Sequence, residues 1–135
     1  NFFYHLAERY PGKVSAVLTF DRILAKKIYA GSDIFIMPSR SEPCGLSQMI
    51  ASRYGSVPVV RETGGLYDSI KDVGCEGGGN GFTFAPYSAW ELLGAVRRAV
   101  GSYRSDDWKK LVRKVMQTDF SWTKSAKEYI EKVYS

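Results

Sequence analysis

The chain has 135 residues and a mass of 15.1 kDa, enough for one domain with an apolar core and little more. Its 44% hydrophobic and 24% charged residues exclude a disordered or fibrous chain, and a net charge of +5 permits an acidic partner without naming one. Cys44 and Cys75 are too few for a disulfide scaffold or a structural zinc site, and no apolar run reaches the roughly 18 to 20 residues that cross a bilayer.

The start Asn1-Phe2-Phe3-Tyr4-His5 lacks the charged-then-apolar order of a signal peptide. A soluble, cytoplasmic protein with no membrane partner is expected. A start at Asn1 rather than Met, inside what reads as structured sequence, points to a piece of a longer chain.

In chain order, residues 13–19 (KVSAVLT) follow the turn signal Pro11-Gly12 and are rich in β-branched residues, which predicts a strand. Asp21 caps a helix running to Tyr29, with Gly31 as its stop. Residues 33–38 (DIFIMP) predict a second strand, continuously apolar as in a sheet covered on both faces. A helix follows over 46–54, with Leu46, Met49, Ile50 and Tyr54 as its inward face, and residues 57–60 (VPVV) predict a third strand.

Thr63-Gly64-Gly65-Leu66 turns into another short helix, and Gly77-Gly78-Gly79 forms a loop before a short strand at 82–84. Three amphipathic helices close the chain, over 88–100, 105–117 and 122–133, all read as scaffold. The fold class is therefore α/β, a parallel sheet between helical layers, with 88–135 mainly helical.

In an open parallel sheet, ligands bind at the carboxyl ends of the strands, which selects the loops 39–45 and 61–66. The first joins the carboxylate of Glu42 to Gly45 and to amides entering a helix, a combination suited to hydroxyl or anionic groups. Equally, Glu42 would favour the helix dipole and Gly45 would serve a turn. The second loop offers successive N–H groups at Gly64 and Gly65 with Arg61 nearby, the makings of a phosphate nest, although a tight connection explains the glycines as well.

Neither loop has the Gly-x-x-x-x-Gly-Lys-Ser/Thr or Gly-x-Gly-x-x-Gly spacing. The single histidine, His5, supports neither a zinc cluster nor a Ser-His-Asp triad. Lys109, Lys110, Arg113, Lys114, Lys124 and Lys127 are scattered along outer helix faces, so no nucleic-acid partner is expected. Trp90, Trp108 and Trp122 read as packing residues.

The run 31–66, GSDIFIMPSRSEPCGLSQMIASRYGSVPVVRETGGL, resembles the C-terminal nucleotide-sugar-binding domain of bacterial and archaeal glycogen synthases and plant starch synthases. Asn80-Gly81-Phe82 resembles the late sheet region of that domain, and Phe120-Ser121-Trp122 with Ala126 its terminal helix. The resemblance implies a partial Rossmann-like domain over 1–135, from the C-terminal half of a GT-B glycosyltransferase. Such enzymes transfer glucose from ADP-glucose or UDP-glucose to the non-reducing 4-OH of an α-1,4-glucan, with retention.

By the same resemblance, Glu42 contacts the donor glucose, backbone groups of Cys44, Gly45 and Leu46 hold the sugar, and Ser47 lies near the phosphates or ribose. Thr63, Gly64, Gly65 and Leu66 lie beside the diphosphate and sugar, and Phe20 lies near the base. No metal or other cofactor is implied. Related transferases carry a second acidic residue where Ile50 stands here.

The family's donor-clamping Arg and Lys and its acceptor-binding domain precede the matched region, so the isolated chain is expected to be inactive. Two alternatives stay open: a structural α/β fragment that self-associates through an exposed sheet edge, or a related sugar transferase with another donor or acceptor.

Overall fold

The computed structural model describes residues 1–134. Its elements are α1 (Phe2–Arg9), α2 (Arg22–Gly31), β1 (Ile34–Met37), α3 (Ser47–Arg53), β2 (Val57–Arg61), α4 (Gly64–Ser69), β3 (Phe82–Phe84), α5 (Ala89–Tyr103), α6 (Trp108–Gln117) and α7 (Trp122–Val133). The three strands form one parallel sheet in the order β1-β2-β3, with Ile34 opposite Val57 and Val59 opposite Phe82. Among the described residues no helix is long and apolar enough to cross a membrane.

The central strand explains the layers. Side chains alternate along β2, so Val57 and Val59 point to one face and Val60 to the other. The first pair joins Phe82, Phe84, Ala95, Ala99, Trp108 and Val115, a core closed by α5 and α6. Val60 packs with Leu66 and Ile70 of the α4 region, against Met37 and Phe120. Each of these three valines is wholly buried, worth about 1.5 to 3 kcal/mol apiece in transfer free energy.

Pro58 is tolerated in this central strand because of where its missing donor falls. Val57 N–H reaches Asp33 O toward β1 (2.9 Å), so the next nitrogen faces the β3 side, ahead of the first β2–β3 pair at Val59 and Phe82.

The predicted strand over 13–19 does not form. A strand needs a neighbour for its ladder, and the described sheet offers residues 14–18 none: β1 pairs with β2, and no strand flanks its other edge. Asp21 caps α2 as expected, its Oδ1 accepting from the Ile23 and Leu24 N–H groups at 3.0 and 2.9 Å. The α1 helix has no counterpart in the sequence reading.

Two helix faces also differ from expectation. In α3 the buried residues are Gln48, Ala51 and Ser52, while Leu46, Ile50 and Tyr54 are exposed. The inward face is small and polar because the helix lies close against β1, β2 and the loop before it. In α7 no residue is buried, and Trp122 is exposed, as is Trp90; of the three tryptophans only Trp108 is in the core. The apolar stripe of α7 therefore has no layer to cover among the described residues.

Candidate functional site

The two loops picked out by strand order are joined backbone to backbone. Gly65 N–H donates to Glu42 O at 3.0 Å, and both glycines of the turn are needed for that approach. A Cβ on Gly64 would overlap the Glu42 carbonyl oxygen, and one on Gly65 would overlap the Cys44 carbonyl and lie 2.6 Å from Cys44 Cα. Gly64 also has φ +48°, and Gly45 has φ +70°, both in the left-handed region where a side chain is strained. The turn at 63–66 thus serves as a buttress for the loop at 42–46.

That contact divides the amides into spent and unspent donors. The Gly65 N–H, expected beside a diphosphate, is taken by Glu42 O, and the Leu66 N–H by Thr63 O (3.0 Å). Gly64 opens α4, so its N–H has no acceptor within the helix. Among the described residues, the N–H groups of Cys44, Gly45 and Leu46 donate to no backbone or side-chain acceptor. Three consecutive donors stand together beside the Glu42 side chain, whose Cγ lies 3.1 Å from where a Gly45 Cβ would be.

The loop is fixed from below by a residue the sequence reading passed over. Gln48, fully buried, donates from Nε2 to Gly45 O (2.9 Å), Cys44 O (3.3 Å) and Ser69 Oγ (3.1 Å). Ser69 in turn donates to Gly65 O at 2.6 Å. The signal was a polar residue one turn beyond a glycine loop, hidden by the apolar pattern of Leu46 and Ile50. Ser47 opens α3, half-buried, and Leu46 stands exposed at its N-cap.

Arg61 turns away from the glycine turn. Its Nε donates to Ala85 O (3.0 Å) and a terminal nitrogen to Arg40 O (2.7 Å), bracing the loop after β1 against the end of β3. Both guanidiniums lie over the Tyr87 ring, at 5.5 Å for Arg61 and 5.9 Å for Arg40. Thr63 is the N-cap of α4 without a side-chain capping bond. Phe20 is exposed just before Asp21, and no described contact joins it to either loop.

A groove of about 640 Å³ opens behind the loops, between Cys44, Asp68, Asn80 and the α6–α7 turn. Its three lysines each lie near a protein acceptor, Lys71 most closely. Lys71 donates to Tyr67 O at 2.7 Å and lies over the Tyr67 ring, and Lys114 reaches Gly77 O. Lys124 pairs with Glu128 at 4.0 Å. Cys44 and Cys75 are free thiols, and among the described residues no group of three or more His, Cys, Asp or Glu side chains gathers to hold a metal ion.

The sequence profile of the family described as Glycosyl transferases group 1 matches residues 10–115. The chain belongs to that family. This group 1 glycosyl transferase chain is 51% identical over 132 residues to a glycogen synthase of Desulforudis audaxviator, covering 96% of this chain and 26% of that protein. It is 55% identical over 131 residues to a glycogen synthase of Kosmotoga olearia, covering 96% and 28%.

Among solved structures, the catalytic domain of starch synthase IV from Arabidopsis thaliana bound to ADP and acarbose superposes with a TM-score of 0.86. The two are 43% identical, over 96% of this chain and 28% of that one. The group 1 glycosyl transferase chain thus carries part of a GT-B catalytic fold and spans 26% to 28% of the length of these relatives.

Proposed function

We propose that this chain is the donor-binding part of a retaining glycogen or starch synthase that works in the cytoplasm. In this reading it holds ADP-glucose or UDP-glucose while the rest of a longer protein presents the 4-OH end of an α-1,4-glucan. The carrying observation is the set of unspent N–H donors at Cys44, Gly45 and Leu46 beside Glu42. The ADP and acarbose bound by the starch synthase neighbour point to the same ligand classes.

In glucosyl transfer the bond from C1 to the diphosphate oxygen breaks, a bond from C1 to the acceptor oxygen forms, and the acceptor hydroxyl gives up its proton, which the departing diphosphate can take. Positive character grows at C1 and negative charge on the leaving diphosphate, so preorganised donors near that oxygen lower the barrier. The amides at 44–46 would hold sugar or phosphate oxygens, Glu42 would accept from a glucose hydroxyl, and the Gly64 N–H would face the diphosphate. Ser47 would reach the phosphates or ribose, with Thr63 and Leu66 shaping the turn and Phe20 offered to the base.

The test is an amide NMR titration with ADP-glucose, with UDP-glucose and a short DNA duplex as comparisons. Localised shifts at 42–47 and 63–66 with the nucleotide sugars alone are expected. Removing the carboxylate in Glu42→Ala should weaken binding about 10- to 100-fold, the worth of a charge-assisted hydrogen bond. A dispersed spectrum indifferent to every nucleotide sugar would sink the proposal. If that silent chain also dimerises with concentration, the reading becomes a structural fragment that pairs through the open edge of β1, where Ile36 is exposed.

The chain alone is expected to transfer no glucose, because the residues that present an acceptor belong to the longer protein. Incorporation of labelled glucose into glycogen by this chain, above a Glu42→Ala control, would show otherwise.

A further inference from the structure

We infer that Gln48 and Ser69 form a positioning clasp that sets the distance between the amides at 44–46 and the Gly64 turn; this rests on the donor-site reading above. The bonds leave one arrangement. Ser69 Oγ donates its single proton to Gly65 O (2.6 Å), so toward Gln48 it acts as acceptor. The Gln48 Nε2 protons then serve Ser69 Oγ and Gly45 O, with Cys44 O as a longer third partner at 3.3 Å. A flipped amide would set Oε1 against two carbonyl oxygens, so the orientation is fixed by its neighbours.

One side-chain amide thereby grips the carbonyls of two residues whose own N–H groups face a ligand, and ties them through Ser69 to the glycine turn. Bound carbonyls hold their peptide planes, and the plane of Cys44–Gly45 sets the direction of the Gly45 N–H, as that of Gly45–Leu46 sets the Leu46 N–H. Gln48 therefore aims the donors without touching the ligand.

The glutamine carries a cost beside the bonds its Nε2 makes. Its Oε1 is buried without a partner, a desolvation cost that an apolar side chain of the same length would avoid. Oε1 also lies 2.7 Å from where a Gly45 Cβ would be, which restricts position 45 to glycine as long as the clasp is in place.

The variants are Gln48→Met, which keeps the volume and loses the donors, Ser69→Ala, which cuts the link, and Ser69→Thr, which restores a hydroxyl. Dispersed spectra are expected for all three. In Ser69→Ala the Gln48 side-chain amide resonances should move and the Gly65 N–H should exchange faster, and both should revert in Ser69→Thr. ADP-glucose affinity should fall about tenfold in Gln48→Met and Ser69→Ala, the loss expected for about one net hydrogen bond's worth of preorganisation, and return in Ser69→Thr.

Unchanged affinity in Ser69→Ala, with the Gln48 resonances moved, would overturn the positioning role. Should Gln48→Met fail to fold, Ser69→Ala carries the test. If the unaltered chain ignores ADP-glucose, the donor reading fails, and the clasp is then judged by exchange at Gly65 alone: unchanged exchange in Ser69→Ala would overturn it too.

Discussion

Gly65→Ala is expected to cost about 3 kcal/mol of folding stability, lower the melting temperature by roughly 10 °C and, under the donor-site proposal, remove the response to nucleotide sugar. The added methyl would overlap the Cys44 carbonyl, and these are backbone atoms that no rotamer change can clear. Relief requires the loop at 42–46 to lift off α4, which breaks the 3.0 Å bond from Gly65 N–H to Glu42 O and strips the clasp from Gly45.

Gly94→Ala is the matched control. Gly94 lies within α5, exposed, and a Cβ there meets nothing within 4 Å, so the same substitution should stabilise by about 0.5 to 1 kcal/mol through helix propensity. Urea melts of the two variants give the comparison. Equal small effects would mean that the approach of the two loops is looser than the structure has it.

The readability of this chain divides along local and non-local lines. The strand at Val57–Arg61 was legible because a buried parallel strand is apolar on both faces, and Ile34–Met37 carries the same apolar run although, at the sheet edge, it is half-buried and leaves Ile36 exposed. The Asp21 cap was legible because its partners are two and three residues away. Residues 13–19 misled because β propensity specifies a strand only where another strand lies beside it.

Gln48 was invisible for a related reason. Its role depends on Ser69, on a different element, and a short helix that faces inward with Gln48, Ala51 and Ser52 presents an apolar pattern on the wrong side. At the candidate site, strand order selected two loops that the structure joins, yet the division of labour among their amides emerged only from the hydrogen bonds. Gly65, chosen as a ligand donor, spends its N–H on Glu42 O, whereas Cys44, Gly45 and Leu46 keep theirs.

The second large effect concerns Asp72, which ties β3 to the turn after α4 and, through Arg98, to α5. Its carboxylate accepts from the Thr83 N–H at 2.8 Å and the Gly74 N–H at 2.9 Å, and Arg98 reaches both oxygens at 2.9 and 3.1 Å. The same guanidinium donates to Thr83 O at 2.8 Å and lies over the Phe82 ring. Asp72→Ala would leave the Thr83 N–H without its acceptor at a buried position and is expected to cost about 2 to 3 kcal/mol.

Burial pushes the Asp72 carboxyl upward, but the Thr83 and Gly74 amides and Arg98 together outweigh it and hold the group below its ordinary value of 3.8. The folded state therefore binds this proton less readily than the unfolded chain does. The resulting stability is complete well above the unfolded value, begins to fall as the pH drops through about 4, and is gone below the folded value.

Asp72→Asn separates the charge from the shape, since the amide oxygen can still accept from Thr83. It should be less stable than the unaltered chain at pH 7, and the gap should narrow as the pH is lowered through about 4 toward 3, because the unfolded chain takes up this proton more readily than the folded one. Urea midpoints of both proteins across that range decide the matter. A gap that stays constant from pH 7 to pH 3 would place the stabilisation in the packing of β3 rather than in the carboxylate.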